Sequence, residues 1–337
     1  MTSIGKVIAV VLTYNRKELV SACLRACLDQ TEPPDYVFVL DNGSTDGTRD
    51  NLRQSGILDS PRIVYLRVPN NIGPAAGFDR LIRLAYDAGC DWIWTMDDDV
   101  IPHHDALAHL KSAFLENFRT PAEVGFLSST IVSRDGQPNN VPEIDARADP
   151  GQCQKWGELL HNGLVKIRWS TMCSAIFPRS TLARVGGFSP SFYFSGDDID
   201  FTLRITEILP GYLVGKSVVT HLRQLTGVFS ILRETDPQRI QMFFYYIRNN
   251  VYIRRRYYSN LRMVLFIGKC IWEMLQALSQ KRYPLLRAVT IAKGILAGIV
   301  FHPTYRSLSP ALTPIERASF DHSLSLGANA ISPVERS

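Results

Sequence analysis

The sequence predicts an α/β protein: a mostly parallel sheet flanked by helices, with a helical region at the C-terminal end. Three observations carry this expectation. Short continuous apolar runs recur, each the length of a strand buried on both faces. Segments with helical apolar spacing separate them, so strand and helix alternate. Polar, turn-forming clusters follow the apolar runs directly, at the edge where such sheets bind ligands.

Residues 6–12 (KVIAVVL) form the first run. Residues 18–30 follow, with Leu19, Cys23, Leu24, Cys27 and Leu28 at helical spacing. Residues 36–40 (YVFVL) are the second strand, ending in Asp41-Asn42-Gly43-Ser44-Thr45-Asp46-Gly47, a dense turn signal that leads into another helix. Residues 62–67 read as a third strand, 77–88 as a helix and 92–96 as a fourth strand. Residues 134–163 are loop-like, rich in Pro, Asn, Asp and Gly, and regular signals resume near Val165. From about Gln238 the character changes. Phe243, Phe244, Tyr245, Tyr246, Tyr252, Tyr257 and Tyr258 interleave with Arg248, Arg254, Arg255 and Arg256, and residues 261–278 then read as an amphipathic helix. Beyond His302 the chain turns Ser- and Pro-rich, as an extended or poorly ordered tail would be. The expected division is an α/β domain over 1–235, a helical region over 236–303 and a polar tail over 304–337.

With 337 residues, 45% hydrophobic and 20% charged, the chain can bury a sizeable core. A net charge of +5 is too small to argue for nucleic acid as a partner. Cys23, Cys27, Cys90, Cys153, Cys173 and Cys270 are scattered, and no second pair completes a zinc site, which suits reduced thiols in the cytoplasm. No secretory leader is legible, and no stretch reaches the roughly 18 uninterrupted apolar residues of a membrane span. Residues 289–301 come nearest and contain Lys293.

Asp97-Asp98-Asp99 follows the fourth strand directly. Helix capping explains one such carboxylate, not three. Alternate residues of an extended segment point the same way, so Asp97 and Asp99 can present oxygens to one hard cation, Mn2+ or Mg2+, while Asp98 points elsewhere. Asp41 suits either an Asx turn or a hydrogen bond to a base or ribose. Thr13 and Tyr14 end the first strand nearby, and Tyr14 can stack on a base or simply sit at the rim. Asn70-Asn71-Ile72-Gly73-Pro74-Ala75-Ala76-Gly77 permits close ligand approach but has no phosphate-loop spacing. A second acidic cluster, Ser195-Gly196-Asp197-Asp198-Ile199-Asp200, opens a helix and can offer a carboxylate as general base. His221 follows an apolar segment and suits a structural role or a ligand role.

The segments VIAVVLTYNR, VLDNGSTDGT, NNIGPAAGF, DWIWTMDDD and FSGDDIDFTLR, in this order, resemble the family 2 glycosyltransferases of the GT-A fold. The resemblance runs from about residue 4 to 225. It implies a nucleotide over the first two strands, with Thr13, Tyr14 and Asp41 at nucleoside-binding positions. It puts Asp97 and Asp98 at the donor diphosphate, and Asp97 and Asp99 at the metal with His221 closing its shell. Asp198 falls at the base of an inverting displacement, with Asp197 beside it on the acceptor side. Within the family the pattern is most similar to bacterial galactofuranosyltransferases, which implies UDP-galactofuranose as donor and Trp169 at the acceptor. The chain departs from them at Gly196, where those enzymes often carry Trp. Rhamnosyltransferases are second, implying dTDP-rhamnose. The implied acceptor is a cell-surface polysaccharide or a polyprenyl-diphosphate-linked glycan. The region from Phe243 to Leu278 suits docking on the inner leaflet, and it suits equally packing on the catalytic domain or a homodimer interface. A nucleotidyltransferase of nucleotide-sugar synthesis is a weaker reading, since Thr13-Tyr14-Asn15-Arg16-Lys17-Glu18 lacks the glycines such enzymes place after the first strand. A binding module without activity fits the intact acidic clusters poorly.

Overall fold

The computed structural model describes residues 3–149, 151, 153–222 and 230–308. In chain order its regular elements are β1 (Val7–Thr13), α1 (Lys17–Leu28), β2 (Tyr36–Asp41), α2 (Thr48–Gln54), β3 (Ile63–Arg67), α3 (Pro74–Asp87), β4 (Trp92–Asp97), β5 (Val100–Pro102), α4 (Ala106–Asn117), β6 (Phe126–Val132), β7 (Leu164–Ile167), β8 (Ala175–Pro178), α5 (Arg179–Val185), α6 (Asp197–Thr206), β9 (Gly211–His221), α7 (Pro237–Tyr257), α8 (Asn260–Leu278) and α9 (Pro284–Val300). One sheet runs β3-β2-β1-β4-β8-β6-β9-β5, with β7 also on β9.

The strands around β1 are parallel, as the alternation of strand and helix predicts. Every residue of β1 is buried, and its side chains divide by parity. Val7, Ala9 and Val11 enter the core on one face, Ile8, Val10 and Leu12 the core on the other. Helix α1 covers the first face through Val20, Cys23, Leu24 and Cys27. Helix α3 covers the second through Phe78, Leu81, Ile82 and Ala85. Beyond β4 the sheet departs from the parallel expectation: β8 runs antiparallel to both β4 and β6, and β5 runs antiparallel to β9. Both departures pair strands far apart in the chain: β4 ends at Asp97 and β8 begins at Ala175, and β5 ends at Pro102 and β9 begins at Gly211. The sheet is therefore mixed, with a parallel nucleus flanked by helices.

The register aligns three strand ends. Thr13 lies opposite Asp41, and Leu12 lies opposite Asp97. The polar clusters after β1, β2 and β4 thus meet at one edge.

The helical region caps the same edge. Helix α9 packs closely on α7 because Gly294 and Gly298 leave no side chain between them. A Cβ on Gly298 would lie 2.6 Å from Cβ of Val251. The two helices share a small core of Ile240, Ile247, Val251 and Ile291, to which α8 adds Phe266 and Cys270. Residues 304–308, expected in a polar tail, pack instead on the α/β body. Leu308 is buried in the α3-side core, the Tyr305 hydroxyl donates to Asp200 at 2.9 Å, and Arg83 donates to the Arg306 and Ser307 carbonyls. One apolar residue and one phenol in a Ser/Pro-rich stretch suffice to anchor it. The rest of the expected tail lies outside the described residues. Among the described residues no helix is long and apolar enough to cross a membrane.

Candidate active site

β4 ends at Asp97, and Asp98 and Asp99 form a turn into β5. The triplet is therefore not the extended segment that strict alternation assumed. The turn is needed because β5 pairs Val100 with His221 on β9, and Leu222 donates its backbone N–H to the Asp99 carbonyl at 2.7 Å. The three carboxylates fan outward. Asp97 accepts from the Cys173 thiol at 3.3 Å. Asp98 accepts from the Thr13 hydroxyl at 2.8 Å. Asp99 sits 3.2 Å from Nε2 of His221.

Arg16, at the head of α1, binds two of them at once. Its Nη1 lies 2.8 Å from Asp98 and 2.9 Å from Asp99. Neither partner is a bidentate fork, and the arginine side chain is about half exposed. The pair holds because burial of Asp98 leaves it no water to lose.

The charge balance sorts the three. Burial raises the Asp97 carboxyl to about 7, and repulsion from Asp99 adds to it. Burial also raises Asp98, with Arg16 and Thr13 pulling the other way. For Asp99, burial acts upward too, but the His221 hydrogen bond and Arg16 outweigh it and hold the carboxyl below its ordinary range. Asp97 is thus a half-buried carboxylate without an ion-pair partner among the described residues. Nδ1 of His221 is a buried nitrogen without a hydrogen-bond partner among them. A hard divalent cation fits this donor set. Among the described residues no three His, Cys, Asp or Glu groups converge to hold an ion by themselves.

The nucleoside side is laced loop to loop. Tyr14 is 43% exposed, open enough to stack on a base. Asn15 takes a left-handed conformation (φ 51°), and its side-chain carbonyl accepts from Thr45 N at 2.7 Å. Asp41 is almost fully buried. Ser44 N donates to it at 2.7 Å, the Tyr65 hydroxyl donates to its other oxygen, and Arg67 lies 3.6 Å away. The Asp41 carboxylate thus caps the turn that follows β2, reaching the N–H three residues on rather than the two of an Asx turn. Asn42 donates to Asn71 at 3.0 Å and accepts from Ile72 N at 3.0 Å, drawing in the loop before α3. Gly73 (φ 83°) then abuts Tyr193, and a Cβ there would lie 2.8 Å from the Tyr193 carbonyl.

That contact joins the two acidic clusters. Tyr193, Ser195 and Gly196 all have positive φ, at 60°, 65° and 83°. Strain of this kind persists only where neighbours over-determine it. Here the neighbour is Asn249 of α7, fully buried, whose amide donates to the Phe192, Phe194 and Ser195 carbonyls at 3.1, 3.0 and 2.7 Å. Gly196 answers the departure noted in the sequence. Its φ suits glycine, and a Cβ would press on Ile253 at 3.0 Å.

The chain emerges from this loop into the first turn of α6 with Asp197, Asp198 and Asp200. Asp200 is structural, accepting from the hydroxyls of Tyr257 and Tyr305 and pairing with Arg204 at 3.2 Å. Asp197 is buried and pushed well up by burial, then by Asp198 and, across the cleft, by Asp97. Asp198 is half-buried and carries one local hydrogen bond, from Ile199 N at 2.8 Å. Burial raises it to about 6. Trp169, half-buried, lines a neighbouring cavity of about 490 Å³ together with Ile199. The structure therefore links Thr13, Asp98, Asp99 and His221 through direct contacts, with Arg16 bridging Asp98 and Asp99, while Asp97 bonds Cys173 and acts on Asp99 and Asp197 by charge. Trp169 lies on the far flank of α6.

Arg16 and Asn249 escaped the reading of the sequence. Arg16 followed a motif read for its aromatic and hydroxyl groups. Asn249 lay in a segment whose aromatic and arginine content hid one buried amide.

Residues 8–136 match the family model for glycosyl transferase family 2. The match runs from β1 through β6 and includes Thr13, Asp41 and the Asp97-Asp98-Asp99 triplet. Galactofuranosyltransferase GlfT1 of Mycolicibacterium smegmatis is 35% identical over 102 residues, covering 30% of this chain and 32% of the relative. Its counterpart from Mycobacterium tuberculosis is 28% identical over 202 residues, covering 59% and 64%. The chain thus spans between one third and two thirds of the length of these relatives. An N-acetylglucosaminyl-diphospho-decaprenol L-rhamnosyltransferase of M. tuberculosis is 26% identical over 251 residues, covering 67% of this chain and 79% of the relative. In fold, the chain is similar to a mannosyltransferase of Pyrobaculum calidifontis solved with GDP-Man and Mn2+, with a TM-score of 0.51 and 19% identity over 96% of this chain and 81% of the other.

The clamp on the strained loop yields a prediction. Asn249→Ala strands three carbonyls and frees the loop that positions Asp198. Transfer should fall by about tenfold to a hundredfold, the scale of a catalytic group displaced by about 1 Å. Nucleotide affinity, measured by calorimetry on the same protein, should change less than about twofold, because the donor edge is untouched. An equal loss in both would mean that Asn249 only holds the fold.

Proposed function

We propose that the protein is an inverting, metal-dependent glycosyltransferase that moves a sugar from a nucleotide-sugar donor onto a glycan or lipid-linked glycan. The observation that carries this reading is the pairing of two carboxylates with opposite tasks across one cleft. Both are half-buried: among the described residues Asp97 has no ion-pair partner and its carboxyl is raised to about 7, while Asp198 is raised to about 6 and its carboxylate accepts only from the backbone of its own helix. The first suits a cation, the second a proton.

Asp97, Asp99 and His221 would hold the divalent ion, Mn2+ or Mg2+, with donor phosphate oxygens completing its shell. When bound, that ion neutralises charge on the leaving diphosphate. Thr13 fixes Asp98 at the donor edge, Tyr14 offers its ring to the base, and Asp41 holds the loop beneath the ribose. Asp198 accepts the proton of the acceptor hydroxyl as that oxygen attacks, and its position at the first turn of α6 keeps it beside the acceptor. Asp197 and Trp169 frame the acceptor.

Galactofuranose from UDP-galactofuranose is the donor favoured by the motif pattern and by the galactofuranosyltransferase relatives. Rhamnose from dTDP-rhamnose is the second reading, favoured by the rhamnosyltransferase match over 67% of this chain. The rhamnosyltransferase's name gives its acceptor as N-acetylglucosamine on a decaprenyl diphosphate, which supports a lipid-linked acceptor here. A cytoplasmic enzyme resting on the inner leaflet through α8 and α9 would meet such acceptors.

Two measurements test this. Nucleotide release from a panel of nucleotide sugars with manganese should be fastest with UDP-galactofuranose. Preferential release of dTDP would reverse the donor order, and no release from any of them would remove the transferase reading. Asp198→Asn should retain nucleotide binding and lose transfer by about 10²–10⁴-fold, the usual worth of a general base. In the wild type, a base that must be ionised makes the rate fall as pH drops through about 6, by roughly tenfold per unit below it. A rate that stays level from pH 7 to pH 5 would exclude Asp198 from that role.

A further inference from the structure

A second feature lies beside the site and is not used by the chemistry above. The cavity flanking α6 runs from Trp169 and Ile199 to the facing sides of α7 and α8. Its polar lining is lopsided. Arg254, Arg262 and Lys269 face it, against Glu143 as the one carboxylate in the lining. Glu143 is already engaged, by Arg262 at 3.2 Å and by the Tyr258 hydroxyl. Lys269 lies 3.7 Å from Glu273, one turn along its own helix.

Arg254 is different. It is half-buried, its guanidinium lies 4.2 Å over the Phe266 ring, and it donates to the Asn250 carbonyl and side chain. Among the described residues it meets no carboxylate. Burial lowers its pKa, the Tyr246, Tyr258 and Cys270 side chains act the other way, and Arg262 adds repulsion. A partly buried guanidinium with unused donors and no counter-charge is costly unless an anion joins it.

The mouth of the cavity continues into an apolar face. Leu265 lines the cavity and is 64% exposed. Leu261, Val264, Trp272, Leu275 and Leu278 extend exposed apolar surface along the same helix. Cationic depth and an apolar exit, one residue from Asp198, describe the two ends of a phosphorylated amphipath.

We infer that this cavity binds the phosphate or diphosphate head of a lipid-linked acceptor, on Arg254, Arg262 and Lys269, with its hydrocarbon chain leaving along the exposed face of α8. Its role as the acceptor site rests on the glycosyltransferase reading. Its capacity to bind such a molecule does not. Phosphate is read by the guanidinium groups, and Trp169 and Ile199 separate that head from the carboxylate that meets the acceptor hydroxyl.

Calorimetry on the full chain in EDTA, which leaves the donor edge without its ion, tests this with two probes. Farnesyl diphosphate, below its micelle concentration, should bind at least about tenfold more tightly than inorganic diphosphate, since several buried methylenes add to the same charge contacts. Equal affinities would overturn the lipid assignment in favour of a free-phosphate site. Arg254→Met should weaken both probes by about tenfold or more, the usual worth of a charge-assisted hydrogen bond. Unchanged affinity in that variant, with an unchanged melting temperature, would overturn the site. If Arg254→Met does not fold, the exposed substitution Leu265→Asp decides: farnesyl diphosphate should weaken by about tenfold while inorganic diphosphate changes less than about twofold. No selective loss would contradict the inference. Failure of nucleotide release with this pattern intact would sink the transferase reading and leave the site standing.

Discussion

Five carboxylates buried or half-buried at one sheet edge set the terms for everything around them. Ionised carboxylates are expensive to bury without counter-charge, so each must find a partner, take up a proton or await a cation. Asp98 and Asp99 have Arg16, and Asp99 also has His221. Asp97 has only a thiol, and its carboxyl is correspondingly raised. Asp197 and Asp198 sit at a helix N-terminus, where backbone N–H groups give partial compensation. The edge therefore concentrates negative charge that the described protein groups offset only in part, and the mannosyltransferase of similar fold was solved with GDP-Man and Mn2+.

Holding those charges apart by a defined distance falls to elements far apart in sequence. The turn after β4 is fixed by β5 pairing with β9, some 120 residues on, which also delivers His221. The loop before α6 is fixed by Asn249 and by Gly73 from the donor side. The C-terminal helices are consequently part of the site's framework: α7 holds the strained backbone, and Tyr257 with Tyr305 secures Asp200. Removing the helical region would loosen the acceptor side before it disturbed the donor side.

Much of this was legible in the residues. A run such as KVIAVVL can only be a strand covered on both faces, and its two parities do enter two different cores. The carboxylate clusters stood out because capping explains one acid and not three. What escaped was non-local. The antiparallel insertion of β8 and β5 depends on pairing between strands distant in the chain, not on periodicity within any one run. Arg16 reads as an ordinary surface cation until the fold sets it against Asp98. Asn249 reads as one polar residue in an aromatic helix until three carbonyls arrive from a loop 54 to 57 residues earlier. Residues 304–308 look like tail because two anchoring side chains are too few to register in composition.

The central claim is that Asp97 remains uncompensated by protein because a divalent ion and the donor diphosphate complete it. Calorimetry of UDP binding with manganese and with EDTA, on wild type and Asp97→Asn, tests it most directly. The account predicts that manganese tightens UDP binding in the wild type by at least about tenfold, roughly the worth of one new charge contact, and that Asp97→Asn abolishes the difference. Equal UDP affinity with manganese and with EDTA in the wild type would contradict it.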